Sequence, residues 1–110
     1  MLSGKQRRFL RGLGHHLDPV VHVGKDGLSE GLFTALEAAI VQHELIKIRL
    51  TETVEDDRHE VASRIAEVAG GDVVQVLGRT ILLYRPREKD PTIVLPPGPS
   101  ASLPGNDTKT

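Results

Sequence analysis

The sequence of 110 residues contains no cysteine, no tryptophan, one tyrosine and two phenylalanines. The absence of cysteine excludes a disulfide scaffold, a thiol nucleophile and a cysteine-based zinc site. So few aromatic residues argue against a sheet that stacks unpaired bases on its rings. No stretch approaches the roughly 18 apolar residues of a membrane span, and the basic N-terminal segment lacks the apolar region of a signal peptide. We therefore expect a cytoplasmic protein that does not associate with membranes.

Motifs that carry catalysis are also missing. The sequence has no G-x-S-x-G elbow, no Walker loop and no G-x-G-x-x-G fingerprint. The acidic run 55–57 fits a helix start better than a metal site, because first-turn carboxylates stabilise a helix by about 0.3–1 kcal/mol each. His15 and His16 are adjacent, and sequence neighbours rarely converge on one ion, so we assign them to a helix end. We expect no enzyme, metal, cofactor or small-molecule substrate.

Charge is unevenly distributed along the chain, although the formal net charge is only -1. Within residues 1–25, the single acid Asp18 is outnumbered by the cations Lys5, Arg7, Arg8, Arg11 and Lys25. Residues 52–60 have the opposite balance, with Arg58 outnumbered by Glu52, Glu55, Asp56, Asp57 and Glu60. A domain polarised in this way can bind a polyanion on one face.

Hydrophobic periodicity predicts three helices and four strands in one domain. The first helix begins at Ser3, which forms a capping-box pattern with Gln6, and ends near Gly14. Its predicted buried stripe is Phe9, Leu10 and Leu13, which leaves the cations on the remaining arc. The second helix begins at Ser29, the third begins at a cap indicated by Thr53 and Asp56, and the third ends at residues 70–71. The predicted strands are residues 20–23, 45–50, 73–77 and 80–84.

The element order α-β-α-β-α-β-β predicts a single-domain α/β two-layer sandwich. Its sheet is four-stranded and mixed, with the helices mainly on one face. Alternation over residues 45–50 places Lys47 and Arg49 on the outer side of a strand. Residues 1–95 form the domain, and residues 96–110, rich in Pro, Gly and Ser, are predicted to be a disordered tail.

A G-x-x-G turn, Gly24-Lys25-Asp26-Gly27, joins the first strand to the second helix. Glycine lets the backbone approach a ligand closely, and the partial positive charge of a helix N-terminus favours anions. The same glycines also suit a plain strand-to-helix turn. Asp26 opposes phosphate contact unless it caps the helix, so we assign contact to Gly24, Lys25 and Gly27.

A solvated surface is the simpler interpretation of cations on an arbitrary helix. On the first helix, however, no acid lies three or four residues from a cation, whereas helices stabilised for solubility usually alternate sign. Further cations follow in the glycine turn, on the strand and around the last hairpin, at Lys25, Lys47, Arg49, Arg79, Arg85 and Arg87. The pattern as a whole favours phosphate binding.

Four segments together resemble the bacterial YhbY family of stand-alone CRM-domain RNA-binding proteins. They are residues 2–8 (LSGKQRR), 19–28 (PVVHVGKDGL), 43–47 (HELIK) and 76–86 (VLGRTILLYRP). The resemblance runs in order over residues 2–95. It implies the α-β-α-β-α-β-β fold, akin to the C-terminal domain of a bacterial translation initiation factor. It also implies a role in assembly of the large ribosomal subunit without catalysis.

The expected partner is therefore RNA, from the large-subunit precursor, bound by a monomer. The resemblance implies contact through the glycine turn and a surrounding basic surface. The complete set of expected RNA contacts is Lys5, Arg7, Arg8, Arg11, Gly24, Lys25, Gly27, Lys47, Arg49, Arg79 and Arg85. The alternative is a protein-interaction module that binds a ribosomal or regulatory protein through its sheet face or a strand edge.

Overall fold

The computed structural model describes residues 2–97 and contains the predicted helices and strands in the predicted order. Most of the predicted tail, residues 98–110, lies outside the described residues. The elements are α1 (Gly4–Gly14), β1 (Pro19–Val23), α2 (Glu30–His43), β2 (Leu45–Leu50), α3 (Arg58–Ala69), β3 (Asp72–Leu77) and β4 (Thr80–Tyr84).

The four strands form one mixed sheet in the order β1-β2-β4-β3, which confirms the predicted fold class. β1 is parallel to β2, and β4 is antiparallel to both β2 and β3. Gly78 and Arg79 alone join β3 to β4, and Gly78 has the positive φ of 58° that a tight hairpin favours. Because β1 is parallel to β2 and β4 is antiparallel to β2, the turn after β1 and the β3–β4 hairpin lie at the same end of the sheet.

Helices α2 and α3 cover one face of the sheet and enclose the larger core. Leu36 and Ile40 of α2 and Ile65 of α3 are buried there against the inward positions of β2, Ile46, Ile48 and Leu50. This packing follows from the alternation of β2, since successive side chains of a strand point to opposite faces.

Helix α1 packs on the opposite face, in a smaller core formed by Leu10, Leu45, Val74, Leu82 and Tyr84. Its last residue, Gly14, lies so close to the sheet that an added Cβ would come within 2.7 Å of Leu82 Cδ2. The lack of a side chain at Gly14 therefore lets the end of the helix contact the sheet.

The predicted buried stripe of α1 is only partly correct. Leu10 is fully buried, but Phe9 and Leu13 are 40% and 41% exposed. The helix instead presents Leu10 and Gly14 to the sheet, with Arg7 half-buried beside them. This rotation depends on the close approach of Gly14 to Leu82, which the periodicity of the helix alone does not contain.

Helix ends agree with the sequence at most positions. The capping box between Ser3 and Gln6 is present, and Ser29 caps α2 through its side chain. The cap of α3 predicted from Thr53 and Asp56 is wrong, because the N-cap is Asp57, whose carboxylate accepts a hydrogen bond from the amide of His59. The Thr53 hydroxyl instead forms a hydrogen bond with that of Thr51.

A buried carboxylate attaches the segment after β4 to the rest of the domain. Glu44, between α2 and β2, has no exposed surface. Its carboxylate accepts hydrogen bonds from the amides of Arg87, Thr92 and Ile93 and from the Thr92 hydroxyl, at 2.6–2.9 Å. Burial alone would raise the pKa of Glu44, but these hydrogen bonds outweigh it and lower the pKa to about 2.

Candidate nucleic-acid interface

The outer face of β2 carries the two predicted cations, as its alternation requires. Lys47 is half-buried and Arg49 is exposed, on the same side of the sheet as Leu45 and α1. Helix α1 covers Leu45 and leaves Arg49 open. The sheet register then places His22 of β1 on one side of Arg49 and Thr80 of β4 on the other.

The cations of α1 divide into two groups with different environments. The side chains of Lys5, Arg8 and Arg11 are exposed and form no hydrogen bond or ion pair with another residue in the described range. Arg7 is half-buried, and its guanidinium donates to the backbone carbonyl groups of Val73 and Val74 on β3. Its contacts therefore attach α1 to the edge strand of the sheet.

The G-x-x-G segment forms a tight turn at the end of β1. The amide of Gly27 donates to the carbonyl oxygen of Gly24 at 2.9 Å, and Gly27 has a φ of 64°, a left-handed conformation that glycine adopts readily. Lys25 and Asp26 lie exposed at the centre of the turn. Ser29, not Asp26, caps α2, so the Asp26 carboxylate has no capping role.

Arg79 of the hairpin lies near this turn through a shared neighbour. Its guanidinium donates to the carbonyl oxygen of Thr51 at 2.9 Å. The Thr51 hydroxyl lies 3.8 Å from where a Cβ on Gly24 would stand. The structure thus brings Gly24 and Arg79 to the same end of the sheet, although 55 residues separate them in sequence (79 minus 24).

Arg85 has partners within the domain. Its guanidinium donates to both carboxylate oxygens of Glu37, at 2.7 and 2.9 Å, and to the carbonyl oxygen of Ala69 at the end of α3. These hydrogen bonds lower the pKa of Glu37 below its usual value. Arg85 therefore joins α2, α3 and the end of β4, a role that the sequence did not indicate.

Arg87 has a similar structural role at the end of α2. Its guanidinium donates to the backbone carbonyl groups of Val41 and Gln42. Cations stabilise a helix C-terminus because the last carbonyl groups lack partners within the helix. Arg87 thus helps Glu44 to attach the segment after β4 to the domain, and the Arg87 amide also donates a hydrogen bond to the Glu44 carboxylate.

The two faces of the domain differ in charge. The α1 side carries Lys5, Arg8, Arg11, Lys47 and Arg49. The exposed surfaces of α2, α3 and the loop between β2 and α3 carry two cations, Arg58 and Arg64, against the acids Glu30, Glu37, Glu52, Glu55, Asp56, Asp57, Glu60 and Glu67. The polarity predicted along the sequence is therefore also a polarity in space, which favours docking of a polyanion on the α1 side.

Several residues of this face were not among the predicted contacts. His15, His22, Gln75 and Thr80 lie beside the predicted cations. Alternation in β1 could have identified His22, since its neighbours Val21 and Val23 are buried in the opposite core. Gln75 could not be placed this way, because β3 has an irregularity between residues 73 and 75.

An apolar groove of about 390 Å³ adjoins the basic face along the edge strand β1. Leu13, Leu17 and Val20 line it, and Val20 is 50% exposed.

Among residues 2–97, no helix is both long and apolar enough to cross a membrane. In the same part of the chain, no three His, Asp or Glu side chains form a group that could hold a metal ion.

Comparisons with known proteins point to one family. The model of the CRS1 / YhbY (CRM) domain matches residues 2–85. The "Probable RNA-binding protein YqeI" of Bacillus subtilis (strain 168) is 38% identical over 96 residues, which are 87% of this chain and 100% of the relative. An "RNA-binding protein" of Haemophilus influenzae is 40% identical over 88 residues, which are 80% of this chain and 89% of the relative.

A solved structure has the same fold. The solution structure of the hypothetical protein SAV1595 from Staphylococcus aureus superimposes with a TM-score of 0.75 at 36% sequence identity. The match covers 87% of this chain and 100% of that protein.

Proposed function

Because the chain belongs to the CRS1/YhbY (CRM) domain family, we propose that it is a non-catalytic RNA-binding protein of the cytoplasm. It docks on structured ribosomal RNA through its α1 face and G-x-x-G turn, and it assists assembly of the large ribosomal subunit. The names of the relatives from Bacillus subtilis and Haemophilus influenzae support RNA as the partner.

The observation that carries this proposal is a set of cations without partners inside the domain. These side chains form no hydrogen bond or ion pair with any other residue between positions 2 and 97, and they lie on the α1 face or in the adjoining turn. They are Lys5, Arg8, Arg11, Lys25, Lys47 and Arg49. Because these side chains have no partner among the described residues, they can contact phosphates without breaking a hydrogen bond or ion pair of the domain.

RNA docking then proceeds by charge neutralisation. Each cation that contacts a phosphate releases condensed counterions, and this release supplies most of the affinity. The amide groups of Lys25 and Asp26 have no backbone partner in the described part of the chain, so the turn can donate them to a phosphate. Contacts of this kind set the position of the RNA and read little of its sequence.

Three of the predicted RNA contacts, all arginines, use their side chains for hydrogen bonds within the domain. Arg7 and Arg85 are half-buried and form hydrogen bonds with other elements of the domain, so we leave them out of the contact set. Arg79 uses one guanidinium nitrogen for Thr51 and is otherwise exposed, so it stays in the set with the turn. Asp26 stays outside it.

The apolar groove supports a second candidate function, a protein-interaction module. Exposed apolar residues beside an edge strand are typical of protein docking sites. In this alternative, Leu13, Leu17 and Val20 bind an apolar segment of a ribosomal or regulatory protein.

Ultraviolet crosslinking in cells, followed by sequencing of the attached RNA, tests the proposed function. We expect reads from the rRNA of large-subunit precursors, attached through peptides of α1, the G-x-x-G turn or β2. Reads confined to other RNAs would contradict the ribosomal role. Crosslinks to a protein through the groove, without RNA, would favour the second candidate.

A further inference from the structure

Two of the predicted contacts, Arg11 and Lys47, line one small cavity between the end of α1 and the sheet. We propose that this cavity binds a single phosphate group of the RNA and fixes its position on the α1 face. This inference rests on the proposed function and deepens it, since it distinguishes one built site from a uniformly basic surface.

The chemistry of the lining suits a phosphate. Arg11 and Lys47 contribute positive charge, and His15, Gln75 and Thr80 contribute an imidazole, an amide and a hydroxyl group. All five can donate hydrogen bonds to an oxyanion. The lining contains no carboxylate, and its remaining residues are Gly14, Leu77 and Leu82.

The size and shape of the cavity are also suitable. Its volume is about 130 Å³, and the space is partly enclosed. A water molecule takes up about 30 Å³ of liquid, so the cavity has room for a tetrahedral group of five heavy atoms. Partial enclosure strengthens charge-assisted hydrogen bonds, because fewer water molecules compete for the donors.

The end of α1 does not oppose an anion here as strongly as a bare helix C-terminus would. The carbonyl oxygens of Arg11 and Gly14 already accept hydrogen bonds from the amides of His15 and Leu17, both at 3.0 Å. Arg11 itself lies in the last turn and offsets the negative end of the helix dipole.

Paired variants separate a built site from diffuse charge. At 0.1 M salt, Lys47→Gln should weaken RNA binding about thirtyfold, because it removes a charge-assisted hydrogen bond in an enclosed site. Lys5→Gln removes the same charge from an exposed position of α1 and should weaken binding about fivefold. Thr80→Val changes no charge and should still weaken binding severalfold. Equal losses for the two lysine variants, with no effect of Thr80→Val, would overturn the cavity.

A titration of the unmodified chain with inorganic phosphate gives a second readout that does not depend on RNA or on variant folding. We expect a saturable NMR shift of the Gln75 side-chain amide that chloride at the same ionic strength does not reproduce. A shift that chloride matches, or no shift, contradicts the proposal.

The source of the phosphate is distinguished by comparing 5′-phosphorylated with 5′-hydroxyl RNA of one sequence. Preference for the phosphorylated RNA identifies a terminal phosphate, and equal affinity identifies a backbone phosphate. If RNA binds, but Lys47→Gln and Lys5→Gln behave alike and Thr80→Val has no effect, the cavity fails and the proposed function stands. If RNA does not bind at all, the proposed function fails, and the phosphate titration still decides the cavity.

Discussion

A chain that carries both Arg8→Glu and Arg49→Glu should bind ribosomal RNA about a hundredfold more weakly than the unmodified chain at 0.1 M salt. Each phosphate contact changes log K by about 0.7–0.9 per decade of salt. At 0.1 M salt, which is one decade below 1 M, loss of two contacts therefore weakens RNA binding about 25- to 60-fold. The two new carboxylates also repel the phosphates. Filter binding or fluorescence anisotropy measures the change.

A matched control reverses the same number of charges on the other side of the domain. The side chains of Arg58 and Arg64 of α3 are exposed and form no hydrogen bond or ion pair with the other described residues. Arg58→Glu with Arg64→Glu should leave RNA affinity within a fewfold of the unmodified chain. Both double variants should keep nearly the same unfolding temperature, since exposed substitutions usually change stability by less than about 0.5 kcal/mol each. Equal losses of affinity in the two double variants would contradict docking on the α1 face.

Replacement of Glu44 by Gln should lower the free energy of unfolding by about 3 kcal/mol at neutral pH. The carboxylate is buried and accepts four hydrogen bonds from the segment after β4. Hydrogen bonds to a charged group are worth about 1.5–3 kcal/mol each, and losses within one group do not add fully. Chemical denaturation measures the difference, with Glu67→Gln as the control because Glu67 is exposed and its side chain forms no hydrogen bond with the other described residues.

The effect of Glu44 should depend on pH in a defined direction. The hydrogen bonds to its carboxylate lower the pKa of Glu44 in the folded chain from an ordinary value of 4.5 to about 2. A carboxyl group whose pKa is depressed by folding stabilises the fold above its unfolded pKa, and this contribution is lost as pH falls toward the folded pKa. The stability difference between the unmodified chain and Glu44→Gln should therefore shrink from pH 5 to pH 2. A difference that stays constant over this range would show that the carboxylate charge is not what stabilises the segment.

Local patterns predicted the strands and the overall architecture. Alternation over residues 45–50 correctly placed Lys47 and Arg49 outside the main core, because a half-exposed strand encodes its two faces in adjacent positions. The two-residue hairpin at Gly78 and Arg79 could also be predicted from the sequence, because its geometry depends on those two residues.

The roles of several charged side chains could not be predicted, because their partners are far away in sequence. Arg7 donates to Val73, 66 residues away, and Arg85 pairs with Glu37, 48 residues away. If Arg7 and Arg85 were exposed, as the sequence alone suggests, both would suit RNA contact. Only the packed fold shows that α1 is turned toward the sheet at Arg7 and that Arg85 bridges two helices.

The cavity at Arg11 and Lys47 has the same origin. Its lining comes from α1, β2, β3 and β4, so no segment of the sequence contains more than a part of it. The two cations could be predicted one at a time, whereas Gln75 and Thr80 gain significance only in the folded domain, where they line the same cavity as Lys47.

The central claim, docking on RNA by charge neutralisation at the α1 face, is tested most directly by measuring the affinity of the unmodified chain for a large-subunit rRNA fragment across a salt series. If the six unpartnered cations of the α1 face and the G-x-x-G turn all contact phosphates, log K should fall with log salt at a slope of about −4 to −5. An affinity for the fragment that stays flat from low to high salt would contradict the account.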